Sequence, residues 1–242
     1  MTLVLLAVLA AAPTKPKVEV PMISEEWLQK ADDCEKRLAF KAQAGETPTQ
    51  VMERAEAADQ AFTDEVAMTC GFTSREQHDR FRVRLGAAVA EVMAPMAMQQ
   101  VSGLDLKALA RVEAAQKKEL KAGRISKTQY NLVIARYQQT ERAAKAYQAW
   151  SKRKPNPPSL DVSLVILGIK NPSYAAGYDL LVEQGKMTPA QRKKALADTE
   201  ATVKRTEAWA KEQPALTPAE VAAQAAWLQT HNLATQQPVP AP

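Results

Sequence analysis

The chain has 242 residues, enough for one or two domains with a hydrophobic core that needs neither structural metals nor a dense disulfide framework. Only 8 residues are Gly and 5% are aromatic, while the helix formers Ala, Lys, Glu and Gln fill the sequence, which argues against a sheet-rich protein and for an all-α one. The net charge of +5 is unevenly spread: Pro13 to Gln100 carries 11 basic and 15 acidic residues (net −4), and Val101 to Pro242 carries 21 and 12 (net +9).

The first twelve residues, MTLVLLAVLAAA, form an apolar run of signal-peptide length, shorter than the roughly 20 residues that span a bilayer, and Ala10, Ala11 and Ala12 supply small residues for cleavage. The reading is a signal peptide over 1–12 and a flexible, Pro-broken linker over 13–23, which would place the protein in the periplasm or outside the cell. A short buried N-terminal helix is the competing reading, because no Lys or Arg precedes the run and Pro13 would follow the cut.

From residue 24 onward the chain is punctuated in a regular way. A helix leaves its first N–H groups unpaired, and a Ser or Thr N-cap followed three residues later by Glu or Gln satisfies two of them reciprocally. Five such capping boxes occur: Thr47 with Gln50, Ser74 with Gln77, Ser126 with Gln129, Thr188 with Gln191, and Thr217 with Glu220. Pro48, Pro189 and Pro218 stand at first helical positions, and Gly45, Gly71, Gly123 and Gly185 stand where a preceding helix ends. The marks predict helices near 24–44, 48–69, 74–94, 104–122, 126–153, 173–184, 188–212 and 217–232. The apolar segment 159–170 reads as a short helix or a buried extended stretch, with helix preferred. Tyr130, Val133, Tyr137, Thr140, Ala144 and Tyr147 draw one buried stripe along the helix from Ser126. Ile23 with Leu28, Ile125 with Tyr130, and Leu216 with Val221 form hydrophobic staples.

The expected architecture is an all-α, multi-helix bundle of helical hairpins. An N-terminal helical region spans 24–100, a C-terminal one spans 101–234, and 235–242 is a disordered tail. The stiff KPNPP at Lys154 to Pro158 either separates two lobes or turns a corner.

Two phrases nearly repeat: GRISKTQ at Gly123 to Gln129 and GKMTPAQ at Gly185 to Gln191. Residues 122–150 and 184–212 share five identities, Gly123, Gln129, Ala135, Thr140 and Ala146, which shared hairpin punctuation explains better than duplication. MTPAQ at Met187 to Gln191, and less closely LTPAE at Leu216 to Glu220, resemble the LTxxQ motif of certain periplasmic stress chaperones. That resemblance implies an all-helical, cradle-shaped dimer that holds unfolded clients or senses envelope stress.

Cys34 and Cys70 are the two cysteines. In an exported chain they invite a disulfide. A tight hairpin of 24–44 with 48–69 would set Cys70 level with residue 22, about 15 to 18 Å along the axis from Cys34. Either the second helix breaks before Cys70 or both thiols are free and buried, and the bond is the preferred reading.

Chemistry-bearing residues are sparse. His78, in REQHDR, reads as a solvated helix residue, and His231 lies near a frayed C-terminus. Neither has metal-pair spacing, and the sequence has no Gly-rich phosphate loop and no nucleophile elbow. Glu25, Glu26, Asp32, Asp33 and Glu35 read as a solvated helix face favoured near the N-terminus by the helix dipole. Met93, Met96 and Met98 surround the helix-breaking Pro95; thioethers suit Cu(I), but gap filling at a helix end is the stronger reading. No catalytic residue, metal or cofactor is expected.

Charge carries the functional reading. Lys107 to Lys154 holds 13 basic and 3 acidic residues, net +10. The candidate binding residues are Lys117, Lys118, Lys121, Arg124, Lys127, Lys152, Arg153 and Lys154, a cationic hairpin suited to anionic partners. Export makes nucleic acid an improbable partner and leaves a protein or an anionic envelope component, with peripheral membrane contact open. The expectation is a non-enzymatic binding protein. The alternative is a structural or assembly component whose hairpins dock to another protein, with Lys and Arg merely solvating the surface.

Overall fold

The computed structural model describes residues 18–38, 43, 45–102, 106–153 and 162–232. The signal peptide of 1–12, residues 13–17 of the linker, Lys154 and the tail of 235–242 lie outside the described residues. Among those described the protein is all-α, with ten helices: α1 (Glu25–Leu38), α2 (Pro48–Ala61), α3 (Asp64–Thr69), α4 (Arg75–Ser102), α5 (Leu106–Lys121), α6 (Lys127–Lys152), α7 (Val162–Ile169), α8 (Pro172–Glu183), α9 (Pro189–Glu212) and α10 (Pro218–Asn232). The apolar segment 159–170 is thus helical over Val162–Ile169.

The capping punctuation operates largely as written. Thr47, Ser126 and Thr188 form complete capping boxes with Gln50, Gln129 and Gln191. Thr217 and Glu220 exchange the same pair of bonds, at 2.9 and 3.3 Å. Ser74 departs from the pattern: its hydroxyl accepts from the Gln77 N–H, but the Gln77 side chain accepts from Thr73 N–H and donates to the Glu19 carbonyl, 58 residues away. The box there is half complete because its amide serves a tertiary contact.

Two predicted boundaries need correction. The single helix of 48–69 is two, α2 and α3, because Phe62 leaves helical geometry and Thr63 caps a new start, its hydroxyl accepting from Val66 N–H. Buried Phe62 turns the chain toward the core, and the break returns Cys70 to Cys34, with Cα atoms 5.5 Å apart in a disulfide. Pro95 does not end α4, which continues through it to Ser102. A mid-helix proline costs about 3 kcal/mol, and packing of the turn that precedes it offsets that cost. Ala94 is fully buried, and Glu91 takes Arg153 as an ion pair and Trp150 Nε1 as a hydrogen-bond donor at 3.4 Å from α6.

The main buried cluster lies where α1, α3 and α4 meet α10, around Leu28, Cys34, Phe62, Phe72, Phe81 and Leu216. α6 packs against α8, α4, α5 and α7, and α9 against α7, α8 and α4. His78, expected in solvent, sits wholly inside, edge-on to Phe62 and Phe72 at 4.6 and 5.0 Å. Its neighbour Asp79 is partly buried with it, the carboxylate 3.1 Å from His78 Nδ1. Thr140 is the one exposed member of the expected α6 stripe; the others are half-buried or buried.

A buried ion pair joins α4 to α10. Arg84 on α4 and Glu220 on α10 have side chains 2% and 1% exposed and form two bonds of 2.6 Å. Arg84 also donates to the carbonyls of Pro214 and Ala215, while Glu220 accepts from the N–H groups of Ile23 and Thr217. Burial pushes the Glu220 carboxyl up, but the bonds from Arg84, Ile23 and Thr217 and the Arg84 charge outweigh it and hold the group below its ordinary value.

Glu220→Gln leaves the Arg84 charge buried and unpaired, and is expected to lower stability by about 3–5 kcal/mol in denaturant unfolding. The double variant Arg84→Met, Glu220→Leu should lose less than the sum of the two single changes. Because the folded pKa of Glu220 is depressed, its stabilisation is fully present above the unfolded value near 4.3 and is lost as pH falls through the folded value. A chemical denaturation series from pH 7 to pH 3 should therefore fall more steeply for the parent protein than for Glu220→Gln.

Candidate functional site

The predicted cationic hairpin is α5, a turn and α6, and the turn is built from its sequence. Gly123 takes φ 68°, which glycine adopts without steric cost. Its N–H reaches the Leu120 carbonyl at 3.1 Å, and the next N–H, of Arg124, reaches that of Glu119 at 3.0 Å. These two bonds make a Schellman ending. Ser126 then starts α6 three residues after the glycine. The α8–α9 turn repeats every step: Gly185 at φ 67°, its N–H on Val182 at 3.0 Å, Lys186 N–H on Leu181 at 2.8 Å, then the Thr188 cap. The repeated phrases are one device used twice. MTPAQ and LTPAE both serve as capping boxes behind a buried apolar residue, Met187 or Leu216.

The structure also brings the two turns together. Ser126 Oγ lies 3.2 Å from a Glu183 carboxylate oxygen, so the start of α6 adjoins the end of α8. α5 and α8 end and α6 and α9 begin at this same end, so the opposite poles of the helix dipoles largely offset one another and the exposed lysines supply the positive charge. Lys117, Lys118, Lys121 and Lys127 are exposed there, and the second turn adds exposed Lys186 and Lys193. Lys127 Nζ stands 4.7 Å from the centre of the Tyr130 ring.

The seven of the eight predicted residues that are described do not form one patch. Arg124 closes a two-bonded pair with Glu119, at 2.5 and 2.7 Å, which raises the Arg124 pKa and lowers that of Glu119, chiefly through the hydrogen bonds. Arg124 is therefore engaged locally. Lys152 is exposed at the far end of α6, about 38 Å from Lys127 at 1.5 Å per residue. Arg153 is half-buried, paired with Glu91 and stacked over Trp150 at 5.1 Å. Its role is packing α6 on α4. Linear charge density could not separate the two ends of a 26-residue helix, nor reveal that Lys186 and Lys193 belong with the first group.

The other candidates are also placed. Met93 and Met96 are exposed three residues apart on α4, whereas Met98, five residues from Met93, is turned about 140° away around the axis, so the three thioethers do not converge. Among the described residues no group of three His, Cys, Asp or Glu is close enough to hold a metal ion. His231 is exposed on α10 and stacks on Trp227 with ring centres 3.6 Å apart.

Compared with protein-family models, curated proteins and solved structures, the chain matches none. The Cys34–Cys70 disulfide is compatible with an oxidising compartment, and among the described residues no helix is long and apolar enough to cross a membrane.

Thr188→Ala removes the hydroxyl that accepts from Gln191 N–H at the second turn, and should destabilise the protein by about 1 kcal/mol in thermal or denaturant unfolding. Thr188→Ser should restore nearly all of it.

Proposed function

We propose that the protein is an exported, non-enzymatic binding protein of the cell envelope that meets anionic or partly unfolded partners through the basic end of its bundle. The observation that carries this reading is the gathering of exposed Lys117, Lys118, Lys121, Lys127, Lys186 and Lys193 at one end, around two adjoining turns. Clustered exposed cations raise the local concentration of anions and steer them in over a Debye length of about 8 Å at physiological salt. The N-terminal apolar run, the disulfide and the LTxxQ-like strings support an envelope setting, where lipid headgroups, acidic polymers and acidic protein segments are the available anions.

A second reading, an assembly component that docks through its helices, is favoured by Met93 and Met96, exposed by 39% and 57% on one face of α4. Salt separates the two, since charge-led contacts weaken with ionic strength and apolar docking persists.

Changing Lys117, Lys118, Lys121 and Lys127 together to Gln removes four surface charges and no buried contact. The variant should keep its helicity, bind anionic vesicles or polyphosphate at least about tenfold more weakly at low salt, and lose most of the salt dependence. Undiminished binding by the variant would transfer the function to the docking reading.

A further inference from the structure

A cleft of about 570 Å³ separates α2 from α8 and α9. Along α9 its lining runs from Gln191 to Arg205, one helix face about 21 Å long. Tyr178 and Met187 line it between the helices, and Met52 and Ala55 face it from α2. α2 runs parallel to α9, as its two ties show: Gln191 Nε2 donates to Glu53 at 3.4 Å, and one turn further Lys194 pairs with Glu56 at 2.9 Å.

α2 is lightly held. None of its described side chains from Gln50 to Ala61 is buried. Beyond the two ties to α9, Asp59 pairs with Arg75 at 2.8 Å; exposed ion pairs of this kind contribute little to stability. A second hollow of about 160 Å³ lies on another side of α2, between Ala55, Ala58 and Asp59 and the α4 residues His78 and Asp79, where buried His78 Nε2 has no hydrogen-bond partner. The Cys34–Cys70 bond closes a loop with a sequence separation of 36 that contains all of α2, so the helix can lift while α1 and α3 stay joined.

We propose that this cleft binds an amphiphilic organic cation, an ammonium group on an apolar body, with α2 as its movable lid. The volume falls within the roughly 300–1,000 Å³ of small-molecule sites. Thioether and methyl groups of Met52, Met187, Ala195 and Ala201 offer an apolar wall, and the Tyr178 ring adds a face that attracts cations. The sign of the charge follows from the lining: four carboxylates, Glu53, Glu56, Asp59 and Asp198, stand against Lys194 and Arg205, and with Asp59 matched by Arg75 one negative charge is left over. An ammonium already occupies the rim, because Lys194 bridges Glu56 and Asp198 at 2.9 and 3.0 Å. Glu53 has only the Gln191 amide as a polar partner among the described residues, and is the carboxylate left to receive a second cation.

The test is calorimetric titration of the full chain with decylammonium and, separately, decanoate, both below micelle formation, combined with hydrogen exchange over 50–61. Decylammonium should bind one to one, at least about tenfold tighter than decanoate, and should slow exchange in α2. The triple variant Glu53→Gln, Glu56→Gln, Asp198→Asn, with helicity checked by circular dichroism, should lose about tenfold in affinity, and Ala195→Met, which narrows the cleft, should lose affinity with every charge kept. The four-lysine variant of the basic end should bind decylammonium unchanged, which keeps this site distinct from the proposed anionic contact. Equal binding of decanoate, no one-to-one binding of decylammonium, or unaltered affinity in both cleft variants would overturn the proposal.

Discussion

The Arg84–Glu220 pair is the interaction on which the rest of the bundle's arrangement depends. Two charges removed from water are stable together only when every donor and acceptor is met, and here the partners come from four separated places: α4, the α9–α10 connection, the α10 cap and the chain just before α1. The pair thereby fixes where α10 starts against α4 and where the chain at Ile23 must pass. The apolar cluster of Leu28, Phe81 and Leu216 closes around that polar centre. Glu220 serves two structures at once, as the third residue of a helix cap and as the counter-ion of a guanidinium 136 positions earlier.

The disulfide works with the break at Phe62. A continuous helix from Pro48 would have carried Cys70 away from Cys34; turning inward at Phe62 and restarting at Thr63 reverses that displacement. Closing a loop of this length restricts the unfolded chain and contributes about 3–4 kcal/mol on the loop-entropy account. What the bond joins is α1 to the end of α3, and α2 between them is left with polar ties on its sides. The firmly held and lightly held parts of this region therefore alternate along the chain, a layout suited to a lid.

Charge is organised by ends of the bundle more than by segments of the sequence. One end collects lysines from the α5–α6 and α8–α9 turns, where two helices end and two begin, so the helix dipoles largely offset one another and the lysines themselves set the field. Other cations of the same basic stretch are used internally: Arg124 by Glu119, and Arg153 by Glu91 and Trp150. A net charge counted along the chain includes both kinds, and only exposed, clustered cations can act at a distance.

The sequence by itself determined the local structure: the all-α class, the complete capping boxes at Thr47, Ser126, Thr188 and Thr217, and the glycine endings at Gly123 and Gly185. The class rests on composition and the caps and endings on residues within about six positions of one another, so the physics is readable in one dimension; the Cys34–Cys70 bond, by contrast, needed the break at Phe62. The tertiary structure alone decided which way Gln77 turns its amide, whether Pro95 stops a helix, that His78 is enclosed by Phe62 and Phe72, and that Lys152 stands apart from Lys127. In each of these cases the outcome depends on a neighbour distant in sequence or on a separation along a rigid helix. Arg84 shows the limit most clearly: among the arginines of α4 nothing local marks it, and its burial follows entirely from a carboxylate that the fold delivers from the other end of the chain.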